Sequence, residues 1–274
     1  MEIKILASES MGVRSMATFI QTEDVNILID PSCALSPRRF GLPPHSLELK
    51  QRKVRLKTIN SHLKTADIVI ITHYHYDHFT EENAGLYHNK ILLIKDPYRF
   101  SHEGLKKRAE RFLNKLPTMK DISIADGRHY VFGKTEIIFS PPLHHGTYQS
   151  KVFVVSVCII TEDITFLHSS DIQGINTEIQ LAFIEKCSPD IAFLDGFPIY
   201  LIDKYYTQED FSLSIKLLQR AYGHIKTLIL DHHIARIKTF RDFFHEGIEF
   251  VTAAEFMHDR ELLLEAQRKE LYAL

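Results

Sequence analysis

The stretch that most restricts this chain is Asp67-Ile-Val-Ile-Ile-Thr72, a continuous apolar run that passes directly into His73-Tyr74-His75-Tyr76-Asp77-His78-Phe79. A run with no polar alternation reads as a strand covered on both faces, which requires layers above and below it. The end of that buried strand then carries three histidines and an aspartate within six residues. In extended chain, residues i and i+2 point to the same side, so His73 and His75 can converge on one cation. Asp77 and His78, in the turn that follows, can face a neighbouring position. Imidazole and carboxylate together suit Zn²⁺ and similar divalent ions. Planting so many ionisable groups at the end of a core element without a cation would be costly.

Elsewhere, short β-branched runs alternate with helical patterns. Strands are expected at 2–6, 13–22, 25–30, 91–95, 129–132, 136–140, 151–160, 164–168, 190–194 and 226–230. Helices are expected at 100–116, 176–187, 207–222 and from about 238 onward, and Thr80, Glu81 and Glu82 suit the first turn of another. From Pro31 to about Lys57, with Pro37, Pro43 and Pro44 between, the chain reads as an irregular insertion or long loop. The pattern is that of a layered α/β body with one site.

Composition removes several classes. At 274 residues, 45% hydrophobic and 25% charged, the chain can bury a sizeable core. A formal charge of −2 gives no global signal for nucleic acid or a membrane surface. Its densest apolar run, Val152 to Ile160, is too short to span a bilayer. The start, MEIKILASES, does not read as a signal peptide. Three widely spaced cysteines, Cys33, Cys158 and Cys187, argue against a disulfide framework and for a cytoplasmic location.

The motif His73-x-His75-x-Asp77-His78 resembles the signature of the metallo-β-lactamase superfamily, and further residues match the family's remaining motifs in order. Asp30, in NILIDPS, matches an aspartate that supports the histidine loop. In Ser140-Pro-Pro-Leu-His144-His145-Gly146, His145 is the preferred ligand and His144 the alternative. Asp171, in FLHSSD, matches the aspartate that bridges two metals, with His168 as a structural neighbour. In Asp231-His232-His233-Ile-Ala-Arg236, a histidine followed four residues later by arginine is the spacing of the superfamily's tRNA-processing nucleases. That spacing selects His232, with Arg236 as its partner and His233 as the alternative. The wording is closer still to a small, mainly archaeal branch of predicted metal-dependent hydrolases. That branch carries His-Tyr-His-Tyr-Asp-His, a stretch like Ser10 to Ala17 (SMGVRSMA) and a late Asp-His-His.

This resemblance implies a single α/β domain over 1–274, a four-layer αββα sandwich with two mixed β-sheets and helices outside. Insertions would lie at about 34–58 and 95–120. It implies two divalent ions, Zn²⁺ first and Mn²⁺ or Fe as substitutes, with His73, His75 and His145 on one and Asp77, His78 and His232 on the other. Asp171 would lie between them. The implied activity is hydrolysis by a metal-bound hydroxide, of an ester or phosphodiester, with Asp77 also orienting the nucleophile or shuttling a proton. Arg14, Arg38, Arg39, Tyr74 and Tyr76 are candidate substrate contacts. A nuclease acting on RNA or DNA is the alternative, weakened because only 60 residues separate Asp171 from His232. A non-catalytic metal-binding protein on the same scaffold is a second alternative. The substrate would be a small molecule or phosphodiester, with nucleic acid as the other partner class and no membrane.

Overall fold

Strand pairing in the computed structural model, which describes residues 1–244 and 247–273, divides the chain into two six-stranded mixed sheets. The first begins as an antiparallel meander of β1 (Glu2–Ile5), β2 (Thr18–Gln21) and β3 (Asn26–Ile29). Three parallel strands extend it: β4 (Ile68–Ile71), β5 (Ile91–Ile94) and β6 (Asp121–Ile124). The second sheet starts with the hairpin β7 (His129–Phe132) and β8 (Thr135–Phe139). A two-stranded hairpin, β9 (Leu143–His144) with β10 (Phe153–Val154), comes next in the chain. The second sheet then resumes with β11 (Val157–Ile160) and β12 (Thr165–His168), and ends in the parallel strands β13 (Ile191–Asp195) and β14 (Thr227–Asp231).

The period-2 alternation of each strand sets the layers. Ile27, Ile29, Ile68, Ile70 and Leu93 of the first sheet meet Ile137, Phe139, Val157, Ile159, Phe166, Phe193 and Ile229 of the second. The intervening Leu28, Val69, Ile71, Leu92 and Ile94 face outward, against Ile59 and Leu63 of α1 (Ser46–Thr65) and Leu105, Ala109 and Phe112 of α2 (Glu103–Leu113). On the other side, Leu167, Ala192, Leu194, Leu228 and Leu230 are covered by α3 (Glu178–Cys187) and α4 (Gln208–Tyr222). This is the expected αββα sandwich, in which each fully buried Leu, Ile or Phe contributes roughly 1.5–3 kcal/mol.

Some expectations fail locally. The supposed irregular stretch through Lys57 becomes helical at Ser46, where His45 caps α1 and Glu48 reaches back to the His45 N–H. The helix was obscured because Leu47, Leu49 and Val54 are exposed while Glu48 is buried, so its apolar residues form no stripe. The strand expected at 13–22 forms only over Thr18–Gln21, with a single bridge from Arg14 to Ala34 before it. Residues 8–17 instead form a buried loop held by side-chain bonds such as Ser15 Oγ to the Ser32 carbonyl, 2.6 Å. The run 151–160 splits into β10 and β11. After Thr80 there is only one 3₁₀ turn, Ala84–Tyr87. The edge strand β6 carried little signal, since three of its four residues are exposed. Among the described residues the C-terminal helices reduce to a 3₁₀ turn, Phe240–Phe243, and the short α5 (Ala253–Phe256) and α6 (Arg268–Leu271).

Candidate metal centre

Chain turns beyond the C-terminal ends of β3, β4, β12 and β14 deliver Asp30, His73, Asp171 and His232 to one place, and β9 delivers His145. Three of these turns pass through left-handed backbone, at Asp30 (φ 50°), Ser170 (φ 60°) and His232 (φ 59°). Non-glycine residues there store about 1–3 kcal/mol of strain each, which the surrounding packing must hold.

Asp171 is the hub. Its Oδ2 lies 2.9 Å from His145 Nε2, 3.7 Å from His73 Nε2 and 3.8 Å from His75 Nδ1. On its other side the same oxygen lies 3.6 Å from His78 Nε2 and 3.9 Å from His232 Nε2. Asp77 Oδ2 approaches His232 Nε2 at 3.7 Å. Two groups of four ligand atoms result, His73–His75–His145–Asp171 and Asp77–His78–Asp171–His232, each spanning no more than 4.8 Å. They share Asp171, and they are the two sets expected from the resemblance.

The donor set fits cations. His78 Nε2 is buried with no hydrogen-bond partner among the described residues, and His145 Nε2 faces Asp171 Oδ2 at 2.9 Å. His73 Nε2 and His75 Nδ1 face each other at 3.0 Å. Burial opposes ionisation of Asp171, but His145 and His233 overcome it and hold the carboxyl well below the usual range. Asp30 anchors the loop from behind. It accepts from the Thr72 N–H (2.8 Å) and hydroxyl (2.6 Å), and its Oδ2 lies 2.7 Å from His78 Nδ1. A proton on Nδ1 leaves the Nε2 lone pair aimed at the cluster. His73, His78, His232 and Asp171 are buried; His75, Asp77 and His145 keep some exposure and form the open edge.

The doubled histidines separate. His144 turns away, with Nδ1 2.9 Å from the Ser150 carbonyl and its ring 4.5 Å from that of Phe153. His233 sits deeper, its Nδ1 3.0 Å from both Asp195 oxygens and 3.1 Å from Asp171 Oδ1, its Nε2 against the Gln173 amide. Gln173 in turn accepts from the Tyr206 hydroxyl. His168 is structural, its Nε2 on the Met16 carbonyl at 2.9 Å. Arg236 places Nη2 3.1 Å from His232 Nε2 and 4.0 Å from Asp77, while its Nε donates to Glu9.

The candidate substrate contacts scatter. Arg14 is committed to a two-point ion pair with Glu265. Tyr74 is a core residue whose hydroxyl donates to the Lys95 carbonyl, so it cannot line an open pocket. Tyr76 is exposed, stacked on Phe79 and covered by Arg108. Arg38 is exposed and Arg39 is half-buried beside Arg236. Sequence reading missed Glu9, Gln173, Asp195 and Tyr206. Only Asp195 carried a signal: it ends a buried strand, as Asp30 does.

The family description "Metallo-beta-lactamase superfamily" matches residues 11–81, which include the His73–His78 motif. Among solved structures, the metallo-β-lactamase fold protein YhfI of Bacillus subtilis superposes with a TM-score of 0.58 at 14% identity, over 91% of this chain and 95% of that one. An isothiocyanate hydrolase from Delia radicum gut bacteria gives 0.55 at 18%, over 94% and 90%. Human tRNase Z, short form, gives 0.50 at 13%, over 85% and 92%. These likenesses show the fold. Sequence relatives are nearer: a UPF0282 protein of Methanocaldococcus jannaschii is 39% identical over 99% of this chain and 96% of its own length. Another, of Metallosphaera sedula, is 37% identical over 100% and 93%. Identity at this level along the whole chain settles its kinship: it belongs to the UPF0282 family of archaeal proteins and carries the metallo-β-lactamase fold.

Proposed function

We propose that the protein is a hydrolase of esters or phosphodiesters that works with two divalent cations, Zn²⁺ being the first expectation. His73, His75 and His145 would hold one, Asp77, His78 and His232 the other, and Asp171 both. The observation that carries this reading is the pair of four-residue ligand groups sharing one buried carboxylate. Bound there, two cations supply Lewis acidity and activate water near neutral pH. The chain's own groups do the rest. Asp77, at the open edge, can accept a proton or orient a water. Arg236, held by Glu9 and by the Tyr200 hydroxyl at 2.9 Å, sets a fixed positive charge beside Asp77. Side-chain nucleophiles have no support nearby. Burial pushes the Cys33 thiol up to about 12, and the Ser32, Ser169 and Ser170 hydroxyls are spent on neighbouring oxygens.

Elemental analysis of the purified protein is expected to find about two equivalents of divalent metal. His73→Ala/His75→Ala should lose metal from its own site and, with it, turnover across a panel of esters, thioesters, lactones and phosphodiesters. Full metal content in that double variant would overturn the assignment. Asp30→Asn is expected to weaken metal affinity about 10–100-fold without touching a ligand, because an amide has one acceptor oxygen and cannot accept from the Thr72 N–H at one atom and from the Thr72 hydroxyl and His78 at the other. Competition with a chelator reads that loss; unchanged affinity would remove Asp30 from the supporting role.

A further inference from the structure

Arg236 has a second side. Away from Asp77 and His232 it lines a cavity of about 700 Å³ bounded by residues 39–41, 200–204, 236–239 and 266–270. Arg39, Lys204, Arg236, Lys238 and Lys269 line it, and Glu270 is the one carboxylate among them. Glu270 is already paired with Lys238. Lys204 and Lys269 are exposed and make no ion pair among the described residues.

Beneath the cavity the imbalance persists. Three guanidiniums, Arg14, Arg39 and Arg236, share two close carboxylates, Glu9 and Glu265, with Asp77 at 4.0 Å from Arg236 on the metal side. Glu265 is taken by Arg14 at 2.6 Å and Glu9 by Arg236 at 3.0 Å. Arg39 comes no closer to Glu265 than 3.9 Å, and its Nε is buried without a hydrogen-bond partner. Arg39 Nη2 donates to the Arg236 carbonyl at 2.9 Å, so this guanidinium has a neutral acceptor but no carboxylate of its own, and an anion in the cavity would balance its charge.

We propose that this cavity is an anion subsite, one that receives a phosphate group of a small phosphate-bearing substrate and seats it on the Arg236 side of the metal centre. This rests on the hydrolase reading and narrows its substrate class. Phosphate suits the site because guanidinium forks and several ammonium groups converge on one space. A small ligand suits it better than nucleic acid. The volume is that of a small-molecule pocket. The Phe40 and Tyr200 rings are already covered by the Arg39 guanidinium, at 4.8 and 4.4 Å, which leaves those faces unavailable for stacking bases.

The test is calorimetric titration of inorganic phosphate into three full-length proteins: wild type, His73→Ala/His75→Ala, and Lys204→Ala/Lys269→Ala. The last removes only exposed side chains, so the fold and metal content should stand. Phosphate is expected to bind the histidine variant still, and to bind the lysine variant on the order of tenfold more weakly than wild type at low salt. Equal affinity in wild type and the lysine variant would overturn the subsite, whatever the metal analysis shows. Weakened binding in the lysine variant, alongside full metal in the histidine variant, would leave the subsite standing while the metal assignment falls. A single-stranded oligonucleotide that binds wild type far more tightly than phosphate, with a steep salt slope lost in the lysine variant, would overturn the small-ligand assignment.

Discussion

Asp171→Ala is expected to leave a folded protein that retains at most one of two metal equivalents and loses about 10³-fold or more in turnover, on the order of 4 kcal/mol of transition-state stabilisation. No other residue belongs to both four-residue groups. Its carboxylate lies 2.9–3.9 Å from nitrogens of His73, His75, His78, His145 and His232, and its second oxygen lies 3.1 Å from His233. Without it, two cations would be drawn together with only Asp77 to offset their charge, and neutral imidazoles cannot supply that compensation. Asp171→Asn keeps the shape and removes the charge, so it should fall nearly as far. Metal content and turnover are read on the same preparation. A variant that keeps two equivalents would show that Asp171 does not lie between the cations.

Arg268→Ala is expected to destabilise the fold by about 3–5 kcal/mol without touching the metal ligands. Arg268 and Glu48 are both fully buried, joined by two bonds of 2.7 and 2.8 Å, and Arg268 also donates to the Leu42 carbonyl at 3.1 Å. Truncating the arginine leaves a carboxylate inside the protein with only the His45 N–H, 2.8 Å away, to serve it. The partner control decides the interpretation. Glu48→Leu/Arg268→Met removes both charges and should recover most of the loss, because replacing a whole buried pair is often neutral or stabilising. Denaturant midpoints of the two variants measure the difference; equal destabilisation would mean that packing, not charge, makes the contact. The pair ties α1 to α6, close to the Glu265 that serves Arg14 and to the Lys269 that lines the anion cavity. Arg268→Ala should therefore also weaken phosphate binding.

What the sequence determined by itself lies within short reach along the chain. The apolar run before Thr72 meant a strand buried on both faces, and β4 is that strand, packed between the inter-sheet core and α1. Period-2 geometry then placed His73 and His75 on one side, and the turn carried Asp77 and His78 next to them. Family resemblance supplied the distant members His145, Asp171 and His232, because motif order along a chain is readable without knowing strand order. The doubled histidines, where the sequence offered a preference and an alternative, go separate ways only in the folded chain. His144 ends the short strand β9 and His145 follows it, its N–H on the Val152 carbonyl, and this pairing with the β10 side turns His145 toward Asp171 and His144 away. His232 reaches the cluster because its own left-handed backbone turns it there, while His233 is drawn off by Asp195, 38 residues earlier at the end of β13. The helix α1, the Glu48–Arg268 pair 220 residues apart and the Glu9–Arg236 bond 227 residues apart had no local signature. Hydrophobic period and turn chemistry act over a few residues, whereas a buried charge is explained only by the partner that the folded sheets bring to it.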